Sequence, residues 1–139
     1  MVAVVKIMTS DVVTLDESKT VLDACNLFRA KKIGSVITLK AGRATGILTE
    51  RDVVERVVCT GKSAGKTYLK DVMSSPLLTI DPLSSMEWAS QMMIENKVKK
   101  LGVVEKGSLI GVITATDIVR AEPKMYEEFL KLWIPHFKR

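Results

Sequence analysis

Residues 46–52 read GILTERD, and residues 111–117 read GVITATD. Each stretch has Gly, two apolar residues, Thr, two variable positions and Asp, in that order. A pattern that recurs at a fixed offset along a chain indicates a repeated supersecondary unit. The two stretches therefore predict that the chain contains two copies of one unit, and each stretch has the pattern of a strand that passes into a helix.

The repeat extends well beyond the two motifs. Residues 7–54 align with residues 72–119 without a gap, at an offset of 65 positions. At most of the remaining positions the two copies keep the same polarity. The identical pairs include Met8 with Met73, Ser10 with Ser75, Thr14 with Thr79, Asp16 with Asp81, Gly46 with Gly111, Thr49 with Thr114 and Asp52 with Asp117.

Each copy is predicted to have the order β-α-β-β-α. An extended segment (12–15 and 77–80) precedes a helix, two strands flank a turn at 41–42 or 106–107, and a short helix follows. The helix residues predicted to be buried are Val21, Ala24, Cys25 and Phe28 in the first copy, and Met86, Ala89 and Met93, with Trp88 and Met92 alongside, in the second. One copy is too small to bury its sheet alone, so the sequence predicts an α+β fold of two copies packed with pseudo-twofold symmetry.

The repeat also gives the predicted domain boundaries: a first repeat at 1–58, a linker at 59–70, a second repeat at 71–121 and a C-terminal tail at 122–139. The linker contains GKSAGKT at 61–67, which is similar to the phosphate-binding loop of ATPases. That loop requires a Gly at position 60, which is Thr60 here, and a preceding strand, whereas residues 50–58 have helical spacing. The stretch is therefore interpreted as a flexible polar connector.

Composition narrows the class of protein and of partner. The chain has 139 residues, of which 47% are hydrophobic and 27% charged, as in ordinary globular proteins. No apolar stretch is long enough to cross a membrane and no signal sequence is visible, so we expect a cytoplasmic protein. Cys25, Cys59 and the single His136 lack metal-ligand spacing, so neither a metal site nor a disulfide is predicted. The formal net charge of +5 favours anionic partners, namely nucleotides, nucleic acid or acidic protein surfaces.

The repeated Thr-x-x-Asp pattern has two interpretations. In the first, the Thr and Asp side chains cap the start of a helix, where negative charge is also favourable. In the second, the helix N-terminus attracts an anionic ligand, and the Asp accepts hydrogen bonds from both hydroxyls of a ribose. Lys99 and Lys100 are then candidate partners for phosphates, although a solvated surface pair is an equally good interpretation of these two lysines.

With these features together, the sequence resembles a known family. The doubled unit, its two motifs and the stretch at 96–103 before a central strand are similar to a pair of cystathionine-β-synthase (CBS) domains, the arrangement called a Bateman module. The resemblance covers about residues 6–121. It implies two clefts between the repeats that bind adenosine compounds such as AMP, ADP, ATP or S-adenosylmethionine, and it implies a homodimer packed into a flat disc through its helices.

The resemblance assigns residues to each cleft by position. One cleft is expected to contain Ile47, Thr49, Arg51, Asp52, Ser75, Leu77, Val98 and Lys99. The mirror cleft is expected to contain Ser10, Val12, Ile33, Gly34, Lys100, Val112, Thr114, Thr116 and Asp117. The ribose is assigned to the Thr and Asp of each motif, the base to the apolar residues, and the phosphates to the lysines. Family members that hold phosphates often have His-Arg at the position of Lys99 and Lys100, and Lys lacks the bidentate geometry of Arg. Arg51 in one motif corresponds to neutral Thr116 in the other. We therefore do not expect the two clefts to be equivalent.

The tail lies outside the repeat and has an amphipathic helical pattern. Its apolar positions have helical spacing and precede Pro135: Met125, Phe129, Leu132 and Trp133. We predict that this helix packs on the module or on a partner chain, with a membrane-surface anchor as the alternative.

The sequence predicts a stand-alone sensor without enzymatic activity that binds adenosine nucleotides and acts on a downstream protein whose identity the sequence does not give. The alternative is a nucleic-acid-binding or protein-interaction module that uses the basic surface. Single-stranded nucleic acid is usually bound by clustered basic residues and exposed aromatic rings. Here the basic residues are scattered and only 5% of the residues are aromatic, which favours the sensor.

Overall fold

The computed structural model describes residues 1–133. The chain forms two compact units. The first unit is Val12–Leu77, and the second unit is Met1–Asp11 together with the chain from Leu78 onward. The N-terminal residues belong to the second unit because they pair with it through backbone bridges, one between Ala3 and Ser85 and one between Thr9 and Val112.

The predicted order of elements is present in each unit. The first unit contains β1 (Thr14–Asp16), α1 (Val21–Lys31), β2 (Ser35–Lys40), β3 (Arg43–Thr49), α2 (Glu50–Val53) and α3 (Leu69–Val72). The second unit contains β4 (Thr79–Ile80), α4 (Met86–Asn96), β5 (Lys100–Glu105), β6 (Ser108–Thr114), α5 (Ala115–Ala121) and α6 (Tyr126–Trp133). A π-helical turn at Val54–Val58 continues α2, and 3-10 turns occur at Val4–Lys6, Ala64–Lys66 and Pro123–Met125. The α+β class and the tandem repeat are confirmed.

Each unit has a three-stranded mixed sheet. The central strand, β2 or β5, is parallel to the strand before α1 or α4 and antiparallel to the strand after the hairpin turn. The predicted turns are confirmed, and both of their residues have positive φ, with 51° at Ala41 and 78° at Gly42 in the first unit. Positive φ at both positions suits the right-handed twist of a two-residue hairpin. The outer strands β1 and β4 are shorter than the extended segments predicted there.

Each unit also has its own hydrophobic core. The first core contains Val21, Ala24, Val36, Leu48, Val57, Leu69 and Val72. The second contains Val4, Ile80, Met86, Ala89, Met93, Leu101, Val103, Ile113, Ala115, Ile118 and Phe129. Cys25 and Phe28, which were predicted to be buried, are partly exposed and pack against the first core from the sides of α1. Met92, predicted alongside the buried face of α4, packs partly exposed against the second core.

The predicted position of Trp88 alongside the buried face of α4 is wrong, because 49% of its surface is exposed. Trp88 follows Met86 by two residues, which on an α-helix corresponds to about 200° around the axis. Since Met86 faces the core, Trp88 faces away from it. An apolar residue type therefore did not indicate the buried side of this helix at that position.

The stretch GKSAGKT at 61–67 packs within the first unit, and its flexibility as a connector stays a prediction. Residues Ala64–Lys66 form a 3-10 turn. The buried Thr67 donates its hydroxyl hydrogen to the Ser63 carbonyl at 2.7 Å, and its own carbonyl accepts the Val21 amide at 2.9 Å. The last contact places the stretch against the start of α1.

The C-terminal tail forms α6, which packs on the core of the second unit. Phe129 is fully buried there, and Met125 contacts the same core. The prediction that the tail packs on the module is therefore confirmed for these two residues. Pro135 and His136 lie outside the described residues. Within residues 1–133, no helix is both long enough and apolar enough to cross a bilayer.

Candidate functional site

Asp52 lies at the start of α2, where the local sequence orients its carboxylate. Asp52 Oδ2 accepts the Thr49 amide at 3.0 Å, and Thr49 Oγ1 accepts the Asp52 amide at 3.1 Å. The Ser74 hydroxyl donates to Asp52 Oδ1 at 3.3 Å, and the Arg56 guanidinium lies 3.8 Å from the same oxygen. Asp52 is only 7% exposed, and three groups of the first unit contact its carboxylate: the Thr49 amide, the Ser74 hydroxyl and the Arg56 guanidinium.

Asp117 has the equivalent arrangement in the second unit, at the start of α5. It exchanges two hydrogen bonds of 3.0 Å with Thr114, one from each amide to the side chain of the other residue. The Thr9 hydroxyl donates to Asp117 Oδ2 at 3.5 Å, and Arg120 Nη1 lies 3.7 Å from Oδ1. Asp117 is 8% exposed. The internal repeat has therefore produced two similar carboxylate sites, one in each unit.

Both motifs form capping boxes, so the capping interpretation of Thr-x-x-Asp is confirmed. Capping does not exclude a ligand, because an ionised carboxylate has about four lone-pair positions for hydrogen bonds. The amides of Thr49 and Thr114 each use one position on Oδ2. The cap thus fixes the direction of each carboxylate, and Oδ1 retains capacity to accept a further hydroxyl.

The glycine of each motif lies where a second backbone segment, around Ser74 or Thr9, forms an antiparallel bridge with β3 or β6; we call these two the crossing segments. Ile47 exchanges two backbone hydrogen bonds of 2.9 Å with Ser74, and Val112 exchanges the same pair with Thr9 at 2.8 and 2.9 Å. A Cβ at Gly46 would lie 2.5 Å from the Ser74 carbonyl oxygen, and one at Gly111 would lie 2.8 Å from that of Thr9. The absence of a side chain allows the crossing segment to bring its hydroxyl to the carboxylate.

Two lysines lie beside the Asp117 motif. Lys100 pairs with Thr114 in the β5–β6 register, and the Lys99 carbonyl accepts the Ala115 amide at 2.8 Å. Burial lowers the pKa of the Lys100 ammonium group, the charge of Lys99 lowers it further, and Asp117 acts in the opposite direction. Lys100 is therefore a partly desolvated cation close to the carboxylate, which suits an anionic group bound there.

The corresponding positions beside Asp52 carry no lysine. The Gly34 carbonyl accepts the Glu50 amide at 3.0 Å, and Ser35 pairs with Thr49 in the β2–β3 register. Arg51 points to solvent and forms an exposed ion pair with Glu55 at 3.0 Å. The two sites therefore share their carboxylate and hydroxyl but differ in local charge.

Some of the predicted site residues come together within one unit. In the first unit these are Ile47, Thr49 and Asp52, together with Ser75 and Leu77, which follow Ser74 in the chain. In the second unit they are Val112, Thr114, Asp117 and Lys100, together with Ser10, which follows Thr9 in the chain. Arg51 and Thr116 occupy the exposed second position of their helices. Val98 and Lys99, assigned with Asp52, belong to the second unit, whereas Val12, Ile33 and Gly34, assigned with Asp117, belong to the first. Those cross-assignments stay predictions.

Four contacts of the carboxylates were not anticipated from the sequence. The hydroxyls come from Thr9 and Ser74, not from the neighbouring Ser10 and Ser75. Thr9 and Ser74 align with each other in the repeat, so a hydroxyl in both copies was an available signal. Arg56 follows Asp52 by four residues, and residues four positions apart on a helix lie on the same face, so Arg56 could have been identified as a neighbour. Arg120 follows Asp117 by three residues and lies on the same helix face for the same reason.

Comparison with known proteins agrees with this architecture. The family model described as "CBS domain" matches residues 4–59 and again residues 69–124. The chain therefore belongs to the CBS-domain family and carries two copies of the domain. It is 31% identical over 111 residues to the CBS domain-containing protein YhcV of Bacillus subtilis, which covers 80% of this chain and 79% of that protein. It is 32% identical over 124 residues to the protein MK0525 of Methanopyrus kandleri, covering 88% of this chain and 63% of the relative, so that relative is considerably longer than the matched part.

Solved structures show the same fold. A CBS-domain protein of Burkholderia ambifaria, for which a signal-transduction role has been suggested, superposes with a TM-score of 0.80 at 27% identity, covering 86% of this chain and 93% of that one. The hexameric CBS-CP12 protein of bloom-forming cyanobacteria superposes with a TM-score of 0.78 at 26% identity, covering 91% of this chain and 70% of that one. Relatives of this chain are therefore CBS-domain proteins, and at least one of them self-associates.

Proposed function

We propose that this chain is a regulatory protein that binds adenosine nucleotides, AMP, ADP or ATP, at the carboxylates of Asp52 and Asp117. S-adenosylmethionine is a further candidate ligand with the same nucleoside. The observation that carries the proposal is the repeated buried carboxylate, which is oriented by a capping Thr and accompanied by a hydroxyl from a crossing segment. A carboxylate that accepts both hydroxyls of a ribose is a known means of nucleoside recognition.

The arrangement suggests how such a ligand would bind. The ribose hydroxyls would donate to the lone-pair positions of the carboxylate that the cap and the Ser74 or Thr9 hydroxyl leave available, and Ile47 or Val112 would lie along the base. Lys100 would meet the phosphates of a ligand at Asp117, because it is a partly desolvated cation on the adjacent strand. At Asp52 the ligand would meet Ser35 in place of a lysine. We therefore expect the Asp117 site to prefer phosphorylated ligands more strongly than the Asp52 site does.

The proposed role is that of a sensor without a catalytic step. Ligand binding to the crossing segments at Thr9 and Ser74 would change their position against β6 and β3, and that change would be passed to a protein partner. We further propose a cytoplasmic homodimer that packs through its helices. The exposed apolar side chains of Leu22, Val54 and Trp88 on α1, on the turn after α2 and on α4 support such packing, since they offer apolar area to a second copy.

Calorimetric titration of the full chain with AMP, ADP, ATP and S-adenosylmethionine tests the proposal directly. We expect at least one ligand to bind, and we expect the double variant Asp52→Asn/Asp117→Asn to lose that binding while it remains folded. Light scattering of the same samples measures the mass and tests the homodimer. If none of the four ligands binds at millimolar concentration, or if the double variant binds as the parent does, the proposal is wrong.

A further inference from the structure

A groove of about 560 Å³ lies in the second unit, between α4 and the segment that leads into α6. Its apolar lining includes Met86 and Ile94 on α4 and Met125 on the tail. The tail wall is held in place by Phe129, which is fully buried in the core of the same unit. The groove is therefore a product of tail packing and lies outside the two Asp motifs.

The charge of the groove is opposite to that of the chain. Glu87 and Glu95 lie on its α4 wall, Glu122 and Glu128 lie on its tail wall, and among residues 1–133 Lys124 is the one basic residue in its lining. The ion pairs found within residues 1–133 join other residues and involve none of these four glutamates. An excess of carboxylates around an apolar lining, on a chain with a formal net charge of +5, indicates an occupant that is cationic and partly apolar.

Within residues 1–133, the carboxylates of the groove do not form a metal site. In the part of the chain that the structure describes, no three His, Cys, Asp or Glu residues converge as metal ligands. Glu87 and Glu95 are eight positions apart on one helix, which corresponds to about 12 Å along its axis. Charges spread over that length are suited to several cationic side chains along an extended or helical segment, not to one ion.

We propose that this acidic groove binds a basic amphipathic segment of a partner protein, with an apolar side chain against Met86, Ile94 and Met125 and Lys or Arg side chains toward the glutamates. Helices bind in grooves of this kind by placing their apolar stripe inside and their polar residues at the edges. Methionine side chains adapt to different apolar partners because they are unbranched and polarizable. The proposal assigns the groove to protein recognition and is independent of the nucleotide sites.

The test uses the full-length chain and a fluorescein-labelled helical peptide of about four turns, with Leu at helical spacing on one face and Lys elsewhere. Fluorescence anisotropy gives its affinity, and the same peptide with every Lys replaced by Glu is the charge control. We expect the Lys peptide to bind, the Glu peptide not to bind, and the variant Glu87→Gln/Glu95→Gln to weaken binding at least about tenfold, or about 1.4 kcal/mol. The matched variant Glu55→Gln/Glu105→Gln loses the same charge outside the groove and should weaken binding less than about twofold.

A third variant separates the groove from general electrostatic attraction. Met125→Ala leaves every charge in place and should also weaken the Lys peptide, with a melting curve recorded to confirm that the variant is folded; if it is not, Ile94→Ala replaces it. Equal loss in the two glutamate variants, or binding of the Glu peptide, would overturn the proposal. The proposal would also be overturned if the groove were filled by a second copy of this chain. In that case the parent would be a dimer that does not bind the Lys peptide, and the variant Glu87→Lys/Glu95→Lys would be a monomer.

Discussion

Thr114 and Asp117 hold each other by two hydrogen bonds of 3.0 Å, each from the amide of one residue to the side chain of the other. Thr49 and Asp52 repeat this relationship in the first unit. Thr20 and Asp23 form a third such box, at 3.1 and 3.2 Å, on the exposed start of α1. The third box lies outside the repeated motif, so it provides a control that separates capping of a helix from binding of a ligand.

The first prediction uses that control. Asp52→Asn and Asp117→Asn should each lower the free energy of unfolding by about 0.5–2 kcal/mol, because each weakens a cap, and Asp23→Asn should lower it for the same reason. Only the first two should lose nucleotide affinity, by about 1.5–3 kcal/mol at the altered site, because a charged acceptor is removed from the ribose. Urea melts and calorimetric titration measure the two quantities. A loss of affinity in Asp23→Asn of the same size would mean that the effect comes from stability alone.

The second prediction concerns the motif glycines. Gly46→Ala and Gly111→Ala should lower the free energy of unfolding by about 1–3 kcal/mol, because the added Cβ is too close to the Ser74 or Thr9 carbonyl oxygen and the crossing segment must move. Gly65→Ala is the control, since its Cβ would meet Leu22 at an ordinary 3.7 Å and should change stability by less than about 0.5 kcal/mol. Urea melts of the three variants measure the free energy of unfolding. The same value in all three would show that the crossing segments move aside without loss of stability.

The sequence predicted the elements because the signals for them are local and occur twice. Helix caps, hairpin turns and alternating apolar residues act over a few positions, and each of these signals is present in both aligned copies. The sequence did not predict that residues 1–11 belong to the second unit. Their placement depends on a bridge between Thr9 and Val112, which are far apart in the chain.

The sequence pointed to the carboxylates of the candidate site but not to their hydroxyl partners, because the partners are brought there by backbone pairing between distant residues. Asp52 and Asp117 belong to a motif, whereas their hydroxyl partners Ser74 and Thr9 reach them through the crossing segments. A shift of one residue along such a segment changes which side chain faces the carboxylate. The sequence alone therefore could not choose between Ser74 and Ser75 without knowledge of the backbone pairing.

The third prediction concerns GKSAGKT. Lys62→Ala/Lys66→Ala should leave both stability and nucleotide affinity nearly unchanged, because both side chains are exposed. Thr67→Ala should lower the free energy of unfolding by about 1–3 kcal/mol, because it removes a buried hydroxyl that donates to the Ser63 carbonyl. Thr67→Ser keeps that hydroxyl and should retain most of the stability. A tenfold loss of ATP affinity in the lysine variant would instead support a phosphate-binding role for the stretch.

The fourth prediction tests the charge difference between the motifs. Arg51→Ala should weaken ATP more than adenosine, because the exposed Arg51–Glu55 pair is worth only about 0.3–0.5 kcal/mol and can open to a phosphate. The effect should diminish as salt concentration rises. Thr116→Ala, at the equivalent position of the second motif, should affect the two ligands alike because no charge is removed. Titrations with both ligands at two salt concentrations decide this, and an equal effect of Arg51→Ala on ATP and adenosine would exclude Arg51 from phosphate contact.

The last prediction is a pH dependence that arises at Lys100. Burial and the charge of Lys99 lower the pKa of its ammonium group in the folded chain, despite the opposing effect of Asp117. Between that lowered pKa and the ordinary value of 10.5, the unfolded chain binds more protons than the folded chain, so the Lys100 contribution to stability becomes more favourable as pH rises. A phosphate beside Lys100 would act in the opposite direction, because it favours the charged form and raises the pKa toward the ordinary value.

ATP binding is therefore expected to take up protons in this alkaline window, and its affinity should fall as pH rises through it. Adenosine, which has no phosphate, should show neither effect. Titrations in buffers with different ionisation enthalpies measure the proton uptake, and Lys100→Met should remove it while keeping a side chain of similar length. Lys106→Met, in the exposed hairpin turn, is the control and should leave the uptake unchanged. If the parent and Lys100→Met take up the same number of protons with ATP, Lys100 does not contact the phosphates.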